Sequence, residues 1–326
     1  MAITAVTSSE AMRRAMFAVL VAGLVACDEG SAPTRPTSTT VSPAIPDAPV
    51  PAVPRPPLTG RVAFVSDRDG ADAIYVANAD GSGVRRLTVG WRPAWAPGRD
   101  QLAFERDGVI YIIGGDGRER RVASGRCPGW SPDGNKLVFV DNDGIKVINA
   151  DGSGMNHVLN PSVWNTEGVD YYGIDSTSWS PDGRTIAFIR TNWDMTAEGP
   201  AVWVIDADGQ AEPRQLFVSW GRNSGVSGWR TSWSPDGSRI AVGGSPGFTL
   251  VIDATGSRFE ESPGFDADWT PTGDLVFSQL TVPGPGGPES GSGMRIYTSR
   301  SDTPLLPEAA APHRADYSDF SVAWSR

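Results

Sequence analysis

The heptapeptide Thr-Ser-Trp-Ser-Pro-Asp-Gly occurs twice, at residues 177–183 and 231–237. Weaker copies follow the same plan: Pro93-Ala-Trp-Ala-Pro-Gly-Arg99, Pro128-Gly-Trp-Ser-Pro-Asp-Gly134, Ala267-Asp-Trp-Thr-Pro-Thr-Gly273 and a truncated Val322-Ala-Trp-Ser-Arg326. Six tryptophans thus share one context: Trp95, Trp130, Trp179, Trp233, Trp269 and Trp324. A recurrence every 35 to 55 residues means stacked units, none of which can bury its apolar face alone.

The residues around each tryptophan say what the unit is. Pro presets φ for a turn, Asp caps it with its own side chain, and Gly accepts positive φ. Short alternating runs come next: Arg61-Val-Ala-Phe64, Gln101-Leu-Ala-Phe104, Lys136-Leu-Val-Phe139, Thr185-Ile-Ala-Phe188, Arg239-Ile-Ala-Val242 and Asp274-Leu-Val-Phe277. These read as second strands. A third strand ends in an Asp-Gly hairpin, as in Ile74-Tyr-Val76 before Asn78-Ala-Asp-Gly81 and Val202-Trp-Val-Ile205 before Asp206-Ala-Asp-Gly209. A fourth strand closes the unit, as in Val84-Arg-Arg-Leu87 and Pro213-Arg-Gln-Leu216.

Four antiparallel strands per unit must lie on neighbours to bury both faces, and radial packing does this with the tryptophan filling the gap. The chain enters on a second strand at Arg61 and ends on a first strand at Trp324. The expected fold is therefore all-β: a six-bladed β-propeller of four-stranded antiparallel blades, closed by a C-terminal first strand that completes the N-terminal blade. Over about residues 60–326 the repeat resembles the TolB-type propeller, whose unit reads roughly PAWSPDGxxIAF…IYVxxxDG…xxLT. Members of that family also carry an α/β domain ahead of the propeller, for which the residues before Gly60 leave no room.

Those earlier residues read differently. Met12-Arg-Arg14 and the apolar run Ala15–Val25 form a short secretory signal rather than a spanning helix. It ends in Leu24-Val-Ala-Cys27, which resembles a lipobox, and this resemblance implies that Cys27 is lipidated and becomes the mature N-terminus. Prolines at 33, 36, 43, 46, 49, 51, 54, 56 and 57 make residues 27–59 a disordered tether with a reach of up to about 100 Å. The expected organisation is a signal peptide over 1–26, a lipidated tether over 27–59 and the propeller over 60–326. Such a chain is an exported bacterial lipoprotein anchored to a membrane, periplasmic or at the cell surface.

Charge bounds the partners. Without Glu10, Arg13 and Arg14 the 28 basic and 38 acidic side chains become 26 and 37, a net charge of −11. An acidic exported domain is a poor ligand for nucleic acid. With Cys27 spent on lipid, Cys127 is a lone thiol at the start of an inner strand, read as a small buried hydrophobe.

A minimal unit takes about 35 residues, as from Trp95 to Trp130. The surplus falls after fourth strands (160–176, 219–230, 307–320) and between second and third strands (190–200, 279–293). Because strand direction alternates, both kinds of connection emerge on one face. They carry Trp164, Tyr171, Tyr172, Trp193, Trp220, Trp229, Tyr317 and Phe320, and aromatic side chains are enriched at binding hot spots. Just before the motif tryptophans, Arg92, Arg126, Asp175, Arg230, Asp266, Asp268 and Asp319 are placed at the mouth of the channel, where they pair with one another or receive a charged peptide terminus.

Catalytic motifs fit poorly. Gly243-Gly-Ser-Pro-Gly247 has the nucleophile-elbow pattern but joins two strands, whereas that motif needs a strand-to-helix turn. Asn78-Ala-Asp-Gly-Ser-Gly83, its copy at 149–154 and Asp141-Asn-Asp-Gly144 lack the spacing of a calcium loop and read as hairpin turns. His157 and His313 fall far apart in the repeat, so neither a metal centre nor any cofactor is expected. The expected function is a monomeric cell-envelope lipoprotein that binds or scaffolds a protein or peptide partner through its elaborated face. The alternative is an envelope enzyme acting on glycan or peptide in the same mouth.

Overall fold

Alternating apolar residues separated by Asp-Gly turns produce 23 strands among the described residues of a computed structural model. The structure describes residues 57–160, 172–192, 198–220, 230–243, 248–281, 293–301, 304–306 and 319–325. Cys27 and the tether as far as residue 56 lie outside them.

Blade 1 contains β1 (Arg61–Ser66), β2 (Ala73–Asn78) and β3 (Arg85–Thr88); blade 2 contains β4 (Trp91–Trp95), β5 (Gln101–Arg106), β6 (Val109–Gly114) and β7 (Glu119–Ser124). Blade 3 follows with β8 (Arg126–Trp130), β9 (Lys136–Asp141), β10 (Gly144–Asn149) and β11 (Asn156–Leu159). Blade 4 has the longest strands: β12 (Tyr172–Trp179), β13 (Thr185–Asn192), β14 (Glu198–Asp206) and β15 (Arg214–Trp220). Blade 5 is β16 (Thr231–Trp233), β17 (Arg239–Gly243), β18 (Phe248–Asp253) and β19 (Phe259–Pro263). Blade 6 shows β20 (Phe265–Trp269), β21 (Leu275–Thr281) and β22 (Gly293–Thr298), with Leu305 N–H donating to Ile296 C=O at 2.7 Å beside its outer strand.

The last strand, β23 (Asp319–Trp324), pairs antiparallel with β1, Val62 opposite Trp324 and Ser66 opposite Asp319. The sheet order β23-β1-β2-β3 therefore makes the C-terminal strand the innermost of blade 1. Strand β23 also lies against both β4 and β20, so the six inner strands close into a ring. Arg61 N–H donates to Ser325 Oγ at 2.6 Å, and Ser325 N–H returns a bond to Arg61 C=O at 2.8 Å. This is the six-bladed propeller and the C-terminal clasp expected from the repeat.

The core sits between blades. Trp95 packs with Ala63, Val65 and Ile74 of blade 1, and Trp130 with Ala94, Ala103 and Ile112 of blade 2. The same relation places Trp233 against Ala187 and Ile189 of blade 4, and Trp269 against Ala241 and Val251 of blade 5. Several indoles also reach back by hydrogen bond: Trp130 Nε1 donates to Ala94 C=O at 3.0 Å and Trp269 Nε1 to Ser232 C=O at 3.1 Å.

Entry into an inner strand is tightly made. Gly264 has φ +92°, and a Cβ there would lie 2.1 Å from the Phe277 ring; Gly125 repeats this against Phe139 at 2.5 Å. A side chain would meet both strain and overlap. Gly264→Ala is expected to lower stability by about 2–4 kcal/mol in urea denaturation. Gly273→Ala, at φ +79° but with open space around it, should lose only about 1 kcal/mol. Equal losses at the two positions would remove the packing argument.

Candidate functional site

Three residues before the motif tryptophans of blades 2, 3 and 6, the inner strand bulges. The register of β4 on β5 shifts between Trp91 and Ala94, that of β8 on β9 between Arg126 and Gly129, and that of β20 on β21 between Phe265 and Asp268. At the centre of these bulges Arg92, Cys127 and Asp266 have positive φ, at 52°, 55° and 46°. Such angles are uncommon outside glycine, and bulges of this kind re-aim side chains. The strain recurs at one position in blades 2, 3 and 6, and in blades 2 and 3 that position faces the channel: Arg92 and Cys127 line a central cavity of about 100 Å³ together with Ser176, Arg230, Thr231 and Asp268.

Arg92 is the hub of the mouth. It donates to Cys127 Sγ, and its Nη1 stands 3.6 Å from Glu105 Oε2. The Arg92 pKa is raised chiefly by Cys127, which attracts it once ionised, and then by Glu105, Asp175 and Asp266, against the lowering effect of burial, so Arg92 stays charged. Cys127 Sγ in turn donates to Asp175 C=O at 2.7 Å, while its N–H reaches Glu105 Oε2 at 3.3 Å. Burial pushes the thiol up to about 11 even though Arg92 pulls the other way. Cys127 is thus a buried neutral thiol, as expected, but one held by polar partners rather than by apolar packing alone. Arg126 Nη2 donates to Ile174 C=O at 3.1 Å, yet its Nε is buried without a hydrogen-bond partner.

Arg230 spans the channel. Its Nη1 donates to Pro93 C=O of the opposite blade at 3.2 Å, and its Nη2 lies 3.5 Å from Asp268 Oδ2. The Nε of Arg230 is also buried and unpartnered. Asp268 accepts from the Ser232 hydroxyl, from Trp269 N–H at 2.9 Å and from Trp324 N–H at 3.0 Å. One carboxylate therefore ties blades 5, 6 and 1. A hydroxyl chain completes the wall: Ser178 Oγ donates to Thr231 Oγ1 at 2.9 Å, and Thr231 N–H donates to Ser176 Oγ at 2.8 Å.

Among the residues singled out in the sequence, Arg92 and Arg230 line the channel cavity, while Asp175 and Asp266 lie near enough to act on Arg92 and Arg126 to act on Cys127. Tyr172 and Asp319 begin the inner strands β12 and β23, and Trp220 ends β15. The reading of Tyr172, Asp175, Trp220 and Phe320 as loop residues is corrected, because part of the surplus lengthens strands: Tyr172 pairs with Asn192, Trp220 with Glu198 and Phe320 with Val65. Tyr172 and Trp220 share one end of blade 4 but stand on its innermost and outermost strands, roughly 14 Å apart at the usual strand spacing. Tyr171, Trp193, Trp229 and Tyr317 lie outside the described residues, as does Cys27. Sequence reasoning missed Glu105 and the channel hydroxyls. The signal for the latter was present, since Thr231-Ser232 and Ser176-Thr177-Ser178 directly precede motif tryptophans. Among the described residues no group of three or more His, Cys, Asp or Glu side chains is placed to hold a metal ion.

No family model matches the chain, and no curated protein does. Solved structures do. An oligogalacturonate lyase from Vibrio parahaemolyticus is 14% identical, covering 68% of this chain and 83% of that one, with a TM-score of 0.41. An oligogalacturonate lyase in complex with manganese is 14% identical over 77% of this chain and 87% of its own, with a TM-score of 0.45. The calcium-binding protein regucalcin from Agrobacterium tumefaciens is 11% identical over 71% and 74%, also with a TM-score of 0.45. Similarities this weak transfer no activity, and the propeller rests on its own strand pairing.

The displaced pKa of Cys127 has a consequence for stability. The folded thiol holds its proton to about 11 from an ordinary value of 9.0, so its stabilising contribution is complete below pH 9 and is lost as pH rises toward 11. The expected loss across that window is on the order of 2–3 kcal/mol. Urea denaturation of wild type and Cys127→Ala at pH 8 and pH 11 measures it: the gap between the two proteins should narrow or reverse at high pH. A pH-independent gap would contradict this.

Proposed function

We propose that the protein is a cell-envelope lipoprotein whose propeller binds a segment of a protein or peptide at the channel mouth, on the face bearing the long connections. One observation carries the reading: two guanidinium groups, Arg230 lining the channel cavity and Arg126 next in the chain to the cavity-lining Cys127, keep a buried Nε–H without an acceptor. A buried charged donor left unmet costs more than 1–3 kcal/mol. A carboxylate, from a chain terminus or an acidic side chain, supplies the missing acceptors with the strength of a charge-assisted bond. Asp175 and Asp266, on the inner strands of blades 4 and 6, reject a second negative charge and favour a segment with one carboxylate followed by neutral or basic residues. Aromatic residues of the long connections would extend the grip, and the lipid on Cys27 with its proline tether would place the domain within reach of envelope partners while leaving it monomeric. The binding involves neither a cofactor nor nucleic acid.

Capture from detergent-solubilised envelopes tests this, with peptide arrays presenting free and amidated C-termini as the second readout. Arg126→Gln is expected to lose at least tenfold in binding and to keep the melting temperature of the parent, and amidation of the peptide should have the same effect. Cys27→Ala should abolish detergent partitioning and leave peptide binding intact. Undiminished binding by Arg126→Gln would refute the carboxylate reading, and cleavage of an envelope glycan or peptide by the purified protein would move the assignment to an enzyme.

A further inference from the structure

The repeat offers an internal comparison on the opposite, plain face. At three blade interfaces, the residue that opens the second strand of one blade lies beside the motif tryptophan of the next. Between blades 1 and 2 this residue is Arg61, whose guanidinium carbon sits 4.3 Å from the Trp95 ring centroid. Between blades 5 and 6 it is Arg239, 4.7 Å from Trp269. The covered tryptophans are 8% and 1% exposed. Between blades 3 and 4 the equivalent residue is Lys136, which is exposed, and among the described residues no cation stands over Trp179. Trp179 is also the one motif tryptophan left only partly buried, and its buried Nε1–H, like that of Trp95, has no acceptor. An open groove of about 530 Å³ lies there, floored by Trp179, Val147 and Val158.

The rim of this groove is acidic. It carries Asp133, Asp182 and Asp208, with His157 and Asn156 from β11 and a single ammonium, Lys136. The Ser131 hydroxyl holds Asp133, and the Ser180 hydroxyl holds Asp182, below the ordinary carboxylate range. Both are therefore anionic at any physiological pH.

We propose that the groove between blades 3 and 4 is a second binding site, which takes an arginine side chain from a partner polypeptide. The guanidinium lies on Trp179 as Arg61 and Arg239 lie on Trp95 and Trp269, and the rim aspartates accept its outer N–H groups. The argument for this occupant is geometric and electrostatic. The slot already holds a guanidinium at two other interfaces of the same ring, and stacking on an indole face favours a planar weakly hydrated cation over a compact ammonium. Three carboxylates against one ammonium complement its charge. The site uses neither the channel nor the long connections, so it stands apart from the carboxylate reading of the channel mouth.

The test titrates acetyl-Gly-Arg-Gly-Arg-Gly-amide into the full-chain protein at low salt and follows the indole N–H resonances, that of Trp179 being assigned by Trp179→Phe. A saturable shift of Trp179 is expected, reduced about fivefold in affinity when lysine replaces arginine in the peptide. Asp208→Asn, a surface change, should weaken binding several-fold, and added salt should do the same. The decisive variant is Lys136→Arg, which places the missing guanidinium in the chain itself: it should raise the melting temperature, bury Trp179 and abolish peptide binding. The proposal is overturned if the Trp179 resonance does not move, if Lys136→Arg binds the peptide like wild type, or if a neutral oligosaccharide shifts Trp179 while the peptide does not.

Discussion

Everything in this structure depends on an indole wedged between two sheets. A four-stranded blade has two apolar faces and cannot cover either from within, so each blade is stable only as a neighbour. The motif tryptophan fills the wedge at the channel end, where blades converge, and the short Pro-Asp-Gly turn that follows fixes where the chain reverses. Trp269 and Trp324 are at most 2% exposed and rank among the largest fully buried side chains. Removing an aromatic side chain from such a position typically costs 3–5 kcal/mol, which makes these residues the main determinants of blade spacing.

Closure converts six such interfaces into a ring. The clasp is non-local, since β23 must return across the whole domain to pair with β1, yet it is reinforced on both sides. Asp268 of blade 6 accepts from the backbone of Trp324, and Trp324 Nε1 donates to Thr59 C=O at 3.0 Å. A buried carboxylate is worth its desolvation only when its lone pairs are met. Here Asp268 meets them with backbone and side-chain donors from three blades, one of them Arg230, which also reaches across the channel. The same contacts that close the ring therefore set the width of the channel and the position of the arginines at its mouth. Fold and site are coupled through this one residue.

Much of the fold was legible because its grammar is local. Period-two alternation, Asp-Gly turns and the motif tryptophan each act within a few residues, and their repetition fixed both blade number and closure strand. The site was legible in part. Counting back from each tryptophan pointed to the mouth, and Arg92 and Arg230 do line the channel cavity, since the inner strand recurs in every unit. Their partners could not be read off, because bulges at Arg92, Cys127 and Asp266 shift the inward positions and no sequence pattern announces a bulge. Glu105 was hidden for another reason: it lies on a second strand and reaches the channel through Arg92 and the Cys127 N–H. The extra residues of blade 4 were read as loop, whereas pairing of Tyr172 with Asn192 and Glu198 with Trp220 carries the ladder outward before the chain leaves it.

The central claim is that β23 is an integral strand of a closed ring and not a loosely annealed tail. Native-state hydrogen exchange followed by mass spectrometry tests this directly, because exchange through local opening is distinguishable from exchange that requires global unfolding. The account predicts that amides of residues 322–325 exchange with the same free energy as those of β20 and β4, and that Asp268→Asn lowers all three together. If peptides from β23 exchange orders of magnitude faster than β20 while the rest of the ring stays protected, the clasp is not what holds the propeller closed.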